Sequence, residues 1–116
     1  MKIQVATDRS VDGTETLAHD VEGEVRSALE RYASRLSRVE VHLSEEDGDK
    51  NSNDHAKRCL LEARPEGMQP VVVTGLGDNV EHACHDATSK MLRLLDSTFG
   101  RIDGRDAHAT IRHTDS

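Results

Sequence analysis

"GLGDNVEHACHDATSKMLRLL" spans Gly75–Leu95, and three kinds of chemistry compete for it. His82, Cys84 and His85 would suit a metal or a catalytic thiol. Gly75 and Gly77 ahead of a helix would suit a phosphate loop. The same letters also spell the inner stripe of an ordinary helix, because Val80, Ala83, Cys84, Ala87, Met91, Leu94 and Leu95 recur at helical spacing.

The third reading prevails. "GLGD" lacks the Lys and Ser/Thr of a phosphate loop and the third glycine of a dinucleotide fingerprint, and Asp78 puts a carboxylate where phosphate would sit. Gly75 and Gly77 are therefore expected in a flexible strand-to-helix turn. His82 and His85 share a helix face, but zinc needs three or four protein ligands and Cys84 points elsewhere. No metal and no cofactor are expected. Cys84 beside His85 lacks an orienting third group, so no catalytic residue is assigned and the chain is not read as an enzyme. A cysteine on an apolar stripe behaves as a small core residue. Asp78, three residues before Glu81, resembles a capping box that starts the helix. The helix is expected to end near Gly100.

Upstream, Val71–Thr74 is a strand whose β-branched run suggests burial or a central place in the sheet. "RPEGMQP" before it is a turn. Cys59, Leu61 and Ala63 alternate with polar neighbours on a strand, and so do Val39, Val41 and Leu43. Between these two strands "SEEDGDKNSND" reads as an acidic hairpin loop. Val21, Val25, Leu29, Tyr32 and Leu36 form a four–three stripe, which predicts a helix over about 17–36. Ile3 and Val5 mark a first strand. The order β-α-β-β-β-α predicts an α+β sandwich: a four-stranded, mostly antiparallel sheet with both helices on one face and Cys84 buried between the layers. Residues 1–100 form this domain, and 101–116, "RIDGRDAHATIRHTDS", have no periodicity and are expected to be a disordered tail.

The 116 residues suit one domain, and a core with one Tyr, one Phe and no Trp must be built from aliphatic side chains. The net charge of −7 argues against unspecific nucleic-acid binding, which requires a local gathering of Lys and Arg. "MKIQVATDRS" has no apolar signal segment and no run is long enough to span a membrane, so reduced thiols and a cytoplasmic location are expected. Arg31, Arg35 and Arg38 are spaced by four and three on the predicted first helix. Lys90 and Arg93 are three apart on the second, with Arg101 beyond. Side by side, these would form one positive strip.

With this order and the Gly75–Leu95 stretch, the sequence resembles the ribosome hibernation promoting factor and ribosome-associated translation inhibitor family, in its short form. The resemblance rests on Gly77, Asp78, Val80, Ala83, Cys84, Ala87, Lys90, Met91 and Arg93, and on the strand–helix–strand pattern of "KIQVATDRSVDGTETLAHDVEGEVRSALERYASRLSRVEVHL". It covers about residues 2–100. It implies a non-enzymatic protein that binds the small ribosomal subunit, blocks the channel of messenger and transfer RNA, and preserves idle ribosomes under stress. By position, Arg31, Arg35, Arg38, Lys90 and Arg93 would contact ribosomal RNA. Asp96, Asp103 and Asp106 stand where such proteins carry more Lys and Arg, and the extra dimerisation domain of long forms is not expected. The alternative is a divergent stress-response module that keeps the fold, has lost ribosome binding, and meets a protein partner through the acidic loop Glu45 to Asp54. A continuous positive strip would favour the ribosome; a mixed face would favour the protein partner.

Overall fold

The computed structural model describes residues 1–8, 15–46 and 56–111, with 46, 56 and 102–111 described by backbone alone. The elements are β1 (Lys2–Thr7), α1 (Glu15–Ala28), a short 3-10 helix (Glu30–Arg35), β2 (Leu36–Glu46), β3 (Ala56–Pro65), β4 (Val71–Gly77) and α2 (Val80–Ile111). The sheet order is β1-β2-β3-β4, with β1 parallel to β2 and the other pairs antiparallel. The α+β class and the mostly antiparallel four-stranded sheet are as the sequence predicts.

Register puts alternate residues on a common face. Ile3 lies beside Val39, Val39 beside Ala63, Val41 beside Leu61 and Leu43 beside Cys59. These residues join Val21, Val25 and Leu29 of the α1 region and Ala83, Cys84, Ala87, Met91, Leu95 and Phe99 of α2 in one buried core. Both helices therefore cover the same face. Each fully buried Leu or Met contributes about 1.5–3 kcal/mol.

The first helix is shorter than its apolar stripe predicts. It ends at Ala28, Leu29 leaves helical geometry at φ −102° and ψ 11°, and Leu36 is already extended at φ −112° and ψ 122°. Length is the reason. At about 3.3 Å per strand residue and 1.5 Å per helix residue, the 6 residues of β1 and the 14 of α1 both span about 20 Å. A helix running on to Leu36 would overshoot the start of β2, which must lie beside β1. Leu36 keeps the stripe's period but is buried as the first residue of a strand.

Four further expectations are corrected. Gly75 and Gly77 are strand residues of β4 rather than a flexible turn. A Cβ on Gly75 would lie 2.3 Å from both Ala83 O and Ala87 N, so the glycine lets α2 rest directly on the strand. The cap of α2 is Asn79, whose Oδ1 accepts from His82 N at 2.8 Å, in place of Asp78. β4 is an edge strand: Val71 and Val73 face inward half-buried, while Val72 is 51% exposed. The helix also continues past Gly100 to Ile111. Gly100 does not take the left-handed conformation that stops a helix; among the described residues Gly67, with φ 74°, alone does so. The side chains of 102–111 and all of 112–116, on which the disordered-tail expectation rests, lie outside the described residues, as do 47–55 of the acidic loop.

Cys59 and Cys84 face each other between sheet and helix, both free and fully buried. The hydrogen bond to Cys59, and then burial, push the Cys84 thiol far above the usual thiol range. A suppressed thiolate in a closed core reacts slowly. The folded protein is thus expected to show no fast reaction with an aromatic disulfide reagent, and both thiols are expected to titrate once it is unfolded. A rapid native reaction at Cys84 would contradict this packing.

Candidate nucleic-acid interface

Chain direction sorts the charges. α1 descends antiparallel to β1, β2 climbs from the 3-10 helix, β3 descends, β4 climbs and α2 descends. The start of β1, the end of α1, the 3-10 helix, the end of β3, the β3–β4 turn and the region of α2 around Phe99 therefore meet at one pole. Glu66 N donates to Arg35 O at 3.0 Å, and Arg26 Nη1 reaches Met1 O at 3.5 Å. Lys2, Arg26, Arg31, Arg35, Arg38, Arg64 and Arg101 gather here against Glu22, Glu30, Glu40, Glu62, Glu66 and Asp96. At the opposite pole Asp8, Glu15, Asp20, Glu45, Asp78 and Glu81 outnumber Lys57 and Arg58. An acidic protein thus carries one end where cations hold a narrow majority.

Arg31 and Arg35 stand on the 3-10 helix, where α2 holds them. Asp96 accepts from both the Arg31 guanidinium and the Tyr32 hydroxyl. The Arg31 guanidinium carbon lies 5.2 Å from the Tyr32 ring centroid, and Tyr32 packs on Phe99 at 5.0 Å between centroids. Arg35 lies over the Phe99 ring at 3.9 Å. Phe99 thus holds the Arg35 guanidinium in place, and Asp96 holds that of Arg31. The Tyr32 hydroxyl, and then Arg31, hold the Asp96 carboxyl below the ordinary aspartate range, and the same hydrogen bond raises the phenol. A depressed folded-state value contributes stability above the unfolded value, about 3.9, which is lost as pH falls through the folded one. Asp96→Asn should accordingly melt below the wild type at neutral pH and converge with it in strong acid; a constant gap in melting temperature across that range would contradict the arrangement.

Arg38 is on neither helix. Strand alternation places it on the open face of the sheet, away from α1 and α2, with Lys2 on one side and Arg64 on the other. At about 4.8 Å between strands, these three cations span about 10 Å. Such neighbours repel. Gln4, which accepts from Arg38, and Glu40 and Glu62, each 3.6 Å from its arginine, moderate the repulsion. Arg38 Nε is buried without a hydrogen-bond partner among the described residues.

Lys90 and Arg93 lie on α2. Lys90 turns down onto β4, donating to Thr74 O at 2.9 Å and pairing with Asp86 at 3.1 Å. Arg93 is exposed on the helix crest, with Asp86 and Asp96 to either side at helical spacing. The expected continuous strip is therefore not formed: the helix layer alternates in sign, Arg31 and Arg35 share the 3-10 helix, and Arg38 follows on the open face of β2. Lys2, Arg26 and Arg64 join them without having been singled out by sequence spacing. The parity of Arg64 with Glu62, opposite Leu61 and Ala63, was the available signal.

His82 and His85 are exposed on the first turns of α2. Among the described residues no group of three or more His, Cys, Asp or Glu is arranged to hold a metal ion. At the acidic pole a cleft of about 440 Å³ is lined by Leu17, Asp20, Val21, Glu24, Val80 and Glu81. Burial, and then Glu81, raise the Glu24 carboxyl, with His85 opposing. Among the described residues no helix is long and apolar enough to cross a membrane.

No family model matches the chain, and no curated protein matches it. Solved structures do. A ribosomal subunit interface protein from Coxiella burnetii superposes with a TM-score of 0.65 at 14% identity, over 86% of this chain and 99% of that one. The Thermus thermophilus Protein Y N-terminal domain superposes with a TM-score of 0.65 at 17% identity, over 84% of this chain and 99% of that one. The chain has the α+β fold of these proteins.

Proposed function

We propose that this protein is a ribosome-associated translation inhibitor, cytoplasmic and non-enzymatic. It binds ribosomal RNA of the small subunit and acts by occupying the channel of messenger and transfer RNA. The observation that carries the reading is the basic pole: Arg31, Arg35 and Arg38, with Lys2 and Arg64, gather at one end of a molecule whose net charge is −7. The shared fold supports it. Guanidinium groups pair with phosphate oxygens, and the acidic pole faces away from the RNA. With one Tyr and one Phe, packed on each other, no aromatic platform for stacking bases remains, so the contact reads backbone and shape. Arg93 extends the contact along α2. Lys90 and Arg31 contribute less, because Thr74 and Asp86 hold the Lys90 ammonium and Asp96 holds the Arg31 guanidinium.

Purified protein should co-sediment with ribosomes in sucrose gradients at low salt and be released as salt rises. The alternating charge along the α2 crest and the acidic cleft favour a second reading, a protein-interaction module that has lost ribosome binding. Failure to sediment even at low salt would replace the first reading with the second.

A further inference from the structure

β4 ends the sheet, so among the described residues one side of its backbone has no strand partner. An open edge invites another strand. α2 reaches over this one: Asp86 Oδ2 accepts from Leu76 N at 3.0 Å, Lys90 Nζ donates to Thr74 O at 2.9 Å, and the two side chains pair at 3.1 Å. They can reach because Gly75 and Gly77 seat α2 directly on the strand. Those contacts also show which main-chain groups point outward. By alternation they belong to Val72, Thr74 and Leu76.

We propose that the Asp86–Lys90 pair is a latch that closes the β4 edge, and that the edge beneath it is a pairing site for β4 of a second copy of this chain. The strand is self-complementary. In an antiparallel pair centred on Thr74, each Thr74 meets its counterpart and each Val72 meets the other copy's Leu76. Val72 and Leu76 are the large apolar side chains that β4 leaves open, 51% and 49% exposed. "VVVTGLG" carries no charge to repel a copy of itself and no proline to break the ladder. Thr74 O and Leu76 N, which the latch occupies, are two of the groups such a ladder needs. The hydrogen bond from Leu76 and the contact with Lys90 also hold the Asp86 carboxyl below its ordinary range, which keeps the latch charged.

Sedimentation velocity tests this. The wild type should gain nothing from the β4 edge, so V72K/L76K should leave its sedimentation coefficient unchanged. D86A/K90A should shift towards a concentration-dependent dimer, and adding V72K/L76K should return it to the wild-type value. A folded D86A/K90A that sediments as the wild type, or a dimer that the two lysines do not dissolve, would overturn the proposal. So would a wild-type dimer that V72K/L76K dissolves. Should D86A/K90A not fold, amide exchange on the wild type decides: corrected for intrinsic rates, Leu76 should exchange about tenfold or more slower than Val72. Equal rates at the two amides would show that no latch is closed.

Discussion

Gly75→Ala should be the most damaging single-methyl change in this protein, costing about 3 kcal/mol or more. The new Cβ would lie 2.3 Å from Ala83 O, 2.3 Å from Ala87 N and 2.8 Å from Ala87 Cα. All three are helix backbone, so no side chain can rotate out of the way. α2 would have to lift from β4, loosening the packing of Ala83, Cys84 and Ala87 against the sheet. Small domains have about 5–15 kcal/mol in total, so the loss is a large share. Urea unfolding should show a much lower midpoint. Gly23→Ala is the control. It sits inside α1 with nothing within 4 Å of its would-be Cβ, and should stabilise by about 0.5–1 kcal/mol through helix propensity alone. If the two substitutions behave alike, α2 does not rest on β4 as closely as described.

Reversing the charge at the basic pole should abolish ribosome co-sedimentation. In R35E/R38E one change lies on each side of the sheet, so a single surface cannot compensate. Each cation withdrawn from a phosphate lowers the slope of log affinity against log salt by about 0.7–0.9, and the new carboxylates add repulsion. Arg93→Glu, on a crest already flanked by Asp86 and Asp96, should weaken binding less. Glu45→Ala, at the far pole beside Lys57, should leave it unchanged. Circular dichroism and melting distinguish weakened binding from unfolding, since Arg35 also stacks on Phe99. Folded R35E/R38E that sediments like the wild type would remove the pole from the RNA-binding surface and leave ribosome binding itself standing.

The sequence by itself determined what depends on local period. Alternation in Val39, Val41, Leu43 and in Cys59, Leu61, Ala63 defined two strands and their inner faces. The stripe through Ala83, Cys84, Ala87, Met91 and Leu95 defined a helix and buried its cysteine, because a side chain's direction follows from its place in a regular backbone. Only the tertiary structure decided where such a period stops. Leu36 fits the stripe of Val21, Val25 and Leu29, yet the need to match α1 to the length of β1 ends the helix eight residues before it and makes Leu36 a strand residue. The same is true of Val71–Thr74, whose composition reads as central although among the described residues no strand pairs on its outer side, and of Gly75, whose purpose appears only when α2 lies on it. The basic pole arises in the same way. Arg31, Arg35 and Arg38 are neighbours in sequence, but Lys2, Arg64 and Arg101 join them because strands and helices reverse direction and return to one end, a relation between distant residues that no local spacing carries.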